Sequence, residues 1–201
     1  MKKLVSMTMI CAAWAMASPA QEVVGRSTVD GQQVELLSDN TWRLAETTPL
    51  DADCSAIEAG LTFCGSRTRF KVLRPPSPDI DRFYTVDDQN YAMLIVEGFG
   101  TALGLSEDGM ADIILQNAVA GASVDVADVK VLEDIETEVA GLPARQLVYG
   151  LRISGLPFVF YNSYRVGLER SLQVITYVLA SEPTEPALAL HQEFLSGVRL
   201  D

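Results

Sequence analysis

The chain has 201 residues, enough for one sizeable folded core, and 48% of them are hydrophobic. Asp and Glu number 27 against 15 Lys and Arg, which gives a formal net charge of −12 at pH 7. This acidic balance argues against nucleic acid and anionic lipid surfaces as partners, because both repel a negatively charged protein.

The first twenty residues have the three parts of a secretory signal peptide. Lys2 and Lys3 form a positively charged start, an apolar run extends from Leu4 to Ala15, and small residues end the segment at Ala20. The apolar run is too short to span a membrane, and no longer apolar run follows it. We therefore predict a periplasmic or secreted protein without a transmembrane segment, cleaved near Ala20.

Residues 21–45 are predicted to form a β-hairpin or small meander. The dipeptides at 30–31 (Asp-Gly) and 39–40 (Asp-Asn) are turn formers set between runs rich in β-forming residues. We interpret Trp42, near the end of this segment, as a packing anchor. A ligand-stacking aromatic is the alternative.

Residues 46–66 are predicted to be a linker that a disulfide holds in place. The stretch at 46–55 is polar and acidic, and Cys54 and Cys64 are the only cysteines after the signal segment. An even pair of cysteines in an exported chain indicates a disulfide. A redox or metal-binding pair is the alternative, but the spacing is wider than C-x-x-C and no histidine lies nearby in the sequence.

Residues 67–201 are predicted to form the main domain, which begins with strands at 67–73, 82–86 and 91–98. The sequence Arg-Pro-Pro-Ser-Pro-Asp at 74–79 separates the first two, because proline removes a hydrogen-bond donor and fixes the backbone. The third strand is apolar on both faces, so we expect it to be central in a sheet.

A glycine-rich turn at 97–110 raises the alternative of a dinucleotide-binding loop. Its spacing is G-x-G-x-x-x-G, acids lie beside it, and the strands downstream lack the helices that a parallel sheet requires. We predict instead that Ser106 caps a helix over 106–120, with one apolar side lying on a sheet.

The remaining sequence predicts a four-stranded meander followed by a helix. The alternation over 127–139 indicates a half-buried strand with an acidic outer face, and three apolar strands follow it, with turns at Gly155 and at 167–170. Connections this short join only antiparallel neighbours. The closing helix has an apolar stripe made of Ala187, Leu190, His191, Phe194, Leu195 and Val198.

Strands bracketed by two helices predict an α+β fold, with an antiparallel β-sheet flanked by helices. This order, with G-L-P-A-R-x-L-x-Y at 141–149 and F-L-x-G-V at 194–198, resembles the PsbP/DcrB-like α/β/α sandwich proteins over about residues 70–200. The resemblance implies a PsbP-like sandwich and an exported, mostly non-enzymatic accessory or binding factor, with no catalytic residues to carry over. The disulfide segment and the Trp hairpin are additions to that pattern.

Candidates for catalysis and metal binding are few. His191 is the only histidine, and its position on an apolar stripe, without a G-x-S-x-G motif, favours a core residue over a catalytic base. Acids cluster at 79–88 and at 133–138, but neither cluster has calcium-loop spacing, so solvated faces are favoured over a calcium site. We predict no catalytic residue, no metal and no cofactor.

Aromatic residues on the strand at 156–166 offer the best indication of a ligand. They occupy both faces of the strand, which is more apolar than a one-sided sheet requires. Helices that cover both faces are one explanation. The other hypothesis is a cleft between sheet and helix that receives an apolar ligand or peptide. Its candidate binding residues are Tyr149, Phe160, Tyr161 and Tyr164.

We therefore predict an exported, acidic, non-catalytic accessory or binding protein whose partner is an envelope protein or a small apolar ligand. Two alternatives remain open: a secreted hydrolase that uses a carboxylate pair or bound calcium, and a structural envelope module that works through protein contact. A pocket that gathers His191 and the acid clusters would favour an enzyme, whereas a pocket lined by Tyr, Phe and Leu would favour binding.

Overall fold

The computed structural model describes residues 23–29, 32–44, 54–58 and 60–200. The predicted signal peptide and the part of the predicted linker before Cys54 lie outside the described residues. The chain divides into two compact units, Met1–Pro49 and Leu50–Asp201. Among the helices of the described ranges, none is both long enough and apolar enough to cross a bilayer.

The first unit contains a three-stranded antiparallel meander, which confirms the predicted hairpin. Its strands are β1 (Val23–Val29), β2 (Gln32–Leu37) and β3 (Trp42–Leu44). In the turn before β3, Asn40 has φ 63° and the Thr41 N–H donates to the Asp39 carboxylate at 2.9 Å. Trp42 is 56% exposed, so its interpretation as a packing anchor is wrong.

A seven-stranded antiparallel sheet dominates the second unit and confirms the predicted α+β fold. The strands of this unit are β4 (Cys54–Glu58), β5 (Leu61–Cys64), β6 (Lys71–Leu73), β7 (Arg82–Thr85), β8 (Asn90–Glu97), β9 (Lys130–Val139), β10 (Leu142–Ile153), β11 (Leu156–Val166), β12 (Ser171–Leu179) and β13 (Val198–Leu200). The helices are α1 (Glu107–Ala122) and α2 (Glu185–Ser196). The seven strands follow the order β6-β7-β8-β12-β11-β10-β9.

Two-residue turns set the register of the β9–β11 meander. Ala140 and Gly141 connect β9 to β10, and Ser154 and Gly155 connect β10 to β11, all four with φ between 52° and 83°. Two consecutive positive φ values are typical of the type I′ turn, whose twist matches that of paired strands. The predicted turn at Gly155 is therefore confirmed.

The sheet has one helix on each face, as expected for a sandwich of this type. Alternate residues of a strand point to opposite faces, so each long strand contributes to two cores. Met110 and Ile114 of α1 pack on one face. Ala187, Leu190 and Phe194 of α2 pack on the other. Ser106 accepts a hydrogen bond from the Gly109 N–H at 3.0 Å, which confirms the predicted helix cap.

The predicted linker is a β-hairpin from Cys54 onward. Strands β4 and β5 pair with each other, and β5 also pairs with β13 in a three-stranded sheet. Cys54 and Cys64 lie opposite each other in this hairpin and form the predicted disulfide. The segment folds because Phe63 is buried against aromatic rings, among them Phe70 and Phe194 at 5.5 and 4.6 Å between centroids.

Strand β9 is covered less than its alternation predicts. Val131 and Ile135 are 47% and 48% exposed, whereas Val139 is buried. The reason is that β9 is the last strand of the sheet, while α1 lies over β10 and β11. An edge strand with charged side chains is the usual way in which a sheet avoids pairing with other chains.

Candidate functional site

A cavity of about 790 Å³ lies between α1 and the sheet face that α1 covers. Its wall is formed by the C-terminal half of α1, the end of β8, the loop before β7, and side chains of β10, β11 and β12. The volume is in the range of cavities that bind small molecules. The lining is mainly apolar, which matches the hypothesis of a cleft between sheet and helix.

A row of five aromatic rings crosses the sheet along one side of this cavity. Neighbouring strands place Tyr149, Phe160, Tyr177 and Tyr91 in register, and Phe83 follows on β7. The successive ring centroids are 5.0, 5.0, 5.1 and 5.8 Å apart, and each pair is stacked. All of these rings except Tyr91 line the cavity. The exposed parts of these rings give that side of the cavity an aromatic, apolar wall.

Small residues on α1 leave the cavity open. Met110 and Ile114 fill the space under the first half of the helix, whereas Ala118, Gly121 and Ala122 line the cavity under its second half. A Cβ atom added at Gly121 would meet no atom within 4 Å. The cavity therefore forms because the side chains on the second half of α1 are smaller than those on the first half.

One end of the cavity is polar. Glu97, at the end of β8, is partly buried and its Oε2 accepts a hydrogen bond from Ser171 Oγ at 3.3 Å. Burial raises the pKa of the Glu97 carboxyl; the Ser171 hydrogen bond lowers it, and the charge of Asp79 raises it further. Asp79, Ser77 and Gln173 also line this end.

The loop that carries Ser77 and Asp79 is held against β8. Asp81 donates its N–H to the Leu94 carbonyl at 3.1 Å and accepts from the Val96 N–H through its carboxylate at 2.7 Å. Ser77 Oγ donates to the Asp79 carboxylate at 2.9 Å. These contacts hold the Asp79 side chain beside the C-terminal end of β8, where Glu97 lies.

The glycine-rich turn after β8 serves close backbone contact. The N–H groups of Thr101 and Ala102 donate to the carbonyls of Gly167 and Leu168 at 2.9 and 2.8 Å. A Cβ atom at Gly100 would lie 2.3 Å from the Gly167 oxygen, so only glycine fits there. This contact with the β11–β12 turn accounts for Gly100 by backbone packing.

Two of the four residues predicted to bind a ligand line the cavity, Tyr149 and Phe160. Tyr161 lies on the opposite face, because it alternates with Phe160 along β11, and its hydroxyl accepts from the Thr184 N–H at 3.1 Å. Tyr164 shares the face of Phe160 but is fully buried in the core under α1, where burial raises its pKa to about 12. Its side chain does not reach the cavity wall.

Several cavity residues were not identified from the sequence, including Phe83, Glu97, Gln173 and Tyr177. Val174 and Val178 lie on one face of β12, and the sequence pattern assigned that face to the core, so Tyr177 on the other face was not selected. The alternation that places Tyr177 on the same face as Gln173 and Ile175 could have identified it. Which strand lies beside β12 could be learned only from the fold.

His191 lies away from the cavity, on the face that α2 covers. Its Nε2 is 2.8 Å from Ser163 Oγ and its Nδ1 is 3.0 Å from Thr176 Oγ1, and all three residues are buried. Burial lowers the pKa of the imidazole to about 3, so it is neutral at physiological pH. Both ring nitrogens contact hydroxyls instead of a carboxylate, which fits the predicted core role.

The acid cluster at 79–88 is dispersed in the structure, whereas Asp134, Glu136 and Glu138 of the second cluster line an open polar groove with Glu107 and Arg145. Asp87 accepts hydrogen bonds from the Gln89 and Asn90 N–H groups in a turn, and Asp134 is paired with Arg145. Of the clustered acids, Asp79 is the one that lines the cavity. Within the ranges described, no group of three or more His, Cys, Asp or Glu side chains is arranged to hold a metal ion.

Comparison with known proteins identifies a similar fold but no family. No family model matches the sequence, and no curated protein matches it. The solution structure of cyanobacterial PsbP (CyanoP) from Synechocystis sp. PCC 6803 is similar, with a TM-score of 0.52 and 11% identity over 75% of this chain and 94% of that one. At this identity the match shows the PsbP-like fold alone.

Two further solved structures are more distant. A crystal structure from Bacteroides thetaiotaomicron VPI-5482 has a TM-score of 0.46 and 6% identity, over 71% of this chain and 46% of that one. A Pseudomonas aeruginosa protein of unknown function has a TM-score of 0.35 and 11% identity, over 84% and 88% of the two chains. Neither similarity is strong enough to carry an inference.

Proposed function

We propose that this protein is a non-catalytic binding or accessory protein that holds an apolar ligand between α1 and the sheet. The observation that carries the proposal is the cavity of about 790 Å³ with aromatic rings from four strands in its wall. A mainly apolar cleft with a few polar groups at one end is the usual form of a ligand-binding site.

The positions of the titratable groups support binding over hydrolysis. A hydrolase needs a nucleophile or base that reaches the substrate, whereas the single histidine is buried on the other face of the sheet. Asp79 and Glu97 do line the polar end of the cavity, but no histidine, cysteine or lysine is among the described residues of its wall. We assign these carboxylates a role in ligand contact and none in bond cleavage.

We place the site of action outside the cytoplasm, in the periplasm or the secreted fraction. The charge and hydropathy pattern of the first twenty residues supports export, and the Cys54–Cys64 disulfide suits an oxidising compartment. The ligand would then be a small apolar molecule of the envelope, or an apolar segment of an envelope protein.

Binding of the neutral fluorescent probe N-phenyl-1-naphthylamine tests the proposal. Ala118→Trp should fill the cavity from α1 and weaken probe binding about tenfold or more, equivalent to about 1.4 kcal/mol. Gln116→Trp is the matched control, because Gln116 is exposed on the same helix and does not line the cavity. Its affinity should equal that of the unmodified protein.

Cooperative thermal unfolding of both variants would show that they are folded. A protein that does not bind the probe, or an Ala118→Trp variant that binds it as well as the Gln116→Trp control, would refute the proposed cavity function.

A further inference from the structure

The cavity is polar at one end and aromatic at the other, along the paired strands β8 and β12. On the face that α1 covers, β8 contributes Glu97, then Ile95, then Met93 to the lining. Strand β12 contributes Gln173, then Ile175, then Tyr177 in the same direction. With about 3.3 Å per residue, the polar and aromatic ends are about 13–20 Å apart. This gradient fits a long, single-chain amphiphile.

The polar end carries negative charge only. The charged side chains that line the cavity are Asp79 and Glu97, and no Lys, Arg or His lies among the lining residues. In the described part of the chain, neither of the two carboxylates forms an ion pair. Burial opposes the charge of Glu97 and raises its pKa, so a cationic partner would relieve an existing electrostatic cost.

The same arrangement disfavours an anionic head group. A fatty-acid carboxylate at this end would meet the exposed Asp79, the partly buried Glu97 and no cation. Repulsion from a partly buried charge is stronger than repulsion between charges in water. An uncharged hydroxyl head group would lose less binding free energy than a carboxylate, because it can donate a hydrogen bond to Glu97 or Asp79. An ammonium group would gain both hydrogen bonds and charge attraction.

We infer that the cavity binds single-chain amphiphiles with a cationic head group, of the alkylamine class, with the ammonium at Glu97 and Asp79 and the chain running along β8 and β12 toward the aromatic row. This inference rests on the proposed function, because it names the ligand class for the same cavity. It assigns the two carboxylates as the residues that determine head-group specificity.

A series of ligands with one chain and three head groups tests the inference. Dodecylamine, dodecanol and dodecanoate, below their aggregation concentrations and near pH 7, are titrated against protein loaded with N-phenyl-1-naphthylamine. We expect dodecylamine to displace the probe at about tenfold lower concentration than dodecanoate, with dodecanol between them. Equal displacement by all three, or stronger displacement by dodecanoate, would overturn the inference and leave the proposed function intact.

Variants of the two carboxylates give a second measurement. The double variant Asp79→Asn/Glu97→Gln keeps the shape of the cavity and removes its charge, so the advantage of dodecylamine over dodecanol should disappear while dodecanol affinity stays within about twofold. Glu169→Gln/Glu182→Gln is a control for net charge, because it also removes two negative charges and both residues are exposed and do not line the cavity. An undiminished amine advantage in the double variant would overturn the inference.

Failure of the proposed function has a different signature. In that case neither the probe nor any of the three ligands would bind the unmodified protein.

Discussion

The buried pair of hydroxyls around His191 shows how a titratable side chain can serve packing alone. Ser163 and Thr176 lie on neighbouring strands, and the imidazole of α2 enters between them with both nitrogens hydrogen-bonded. Because hydroxyls can donate or accept, they satisfy a neutral ring in either tautomer. The contact joins the last helix to the middle of the sheet.

This arrangement predicts a stability change with pH. The folded pKa of His191 is about 3, below the value of about 6.5 expected in the unfolded chain, so the unfolded state binds the proton more readily. The contribution of the neutral ring is fully present above about pH 6.5 and is lost as pH falls toward 3, by at most about 1.4 kcal/mol per pH unit.

The variant His191→Gln, which has no group that titrates in this range, provides the comparison. Urea unfolding at several pH values should show the difference in free energy of unfolding between the two proteins shrinking as pH decreases from about 7 to about 4. A difference that stays constant over that range would contradict the buried, neutral histidine.

At the scale of single elements, helix α1 contains two glycines in different surroundings. Gly121 lies in the last turn, and a Cβ atom there would meet nothing within 4 Å. At Gly109 the same atom would lie 3.3 Å from the Oγ of the capping residue Ser106. A substitution at Gly121 therefore tests helix propensity alone, whereas a substitution at Gly109 also tests crowding against the helix cap.

We predict that Gly121→Ala raises the free energy of unfolding by about 0.5–1 kcal/mol, because alanine loses less backbone freedom than glycine when the helix forms. Gly109→Ala should gain less than Gly121→Ala, or lose stability, because its methyl group crowds the cap. Chemical unfolding followed by circular dichroism measures both. A larger gain at 109 than at 121 would contradict this description of α1.

For the whole molecule, export and the disulfide give one joint prediction. The protein isolated from its native compartment should begin at Gln21, so that Cys54 and Cys64 are its only cysteines. Intact-mass measurement should show no alkylation before reduction and two alkylated cysteines after it. A chain that retains Cys11, or one that is alkylated without reduction, would contradict this prediction.

The loop closed by this disulfide is short, so its effect on stability should be moderate. Replacing both Cys54 and Cys64 by serine should lower the free energy of unfolding by about 2–3 kcal/mol. Reductant should lower the stability of the unmodified protein by a similar amount and leave the double variant unchanged, which separates loss of the bond from other effects of the reagent.

The local pattern of residues was sufficient to predict many of the elements. Ser106 with the acids after it predicted the start of α1, Gly155 predicted a tight turn, and the alternation of Phe160 with Tyr161 predicted two faces for β11. These features depend on residues a few positions apart in the chain. Local backbone preference and periodicity therefore determine them.

The tertiary structure alone decided which distant segments meet. Pairing of β8 with β12 brings Tyr91 beside Tyr177, and pairing of β5 with β13 turns the expected linker into part of a sheet. Strand partners far apart in sequence are selected by the burial of whole faces, which no short window of residues contains. For that reason the aromatic row and the acidic end of the cavity could be found only once the strands had been placed side by side.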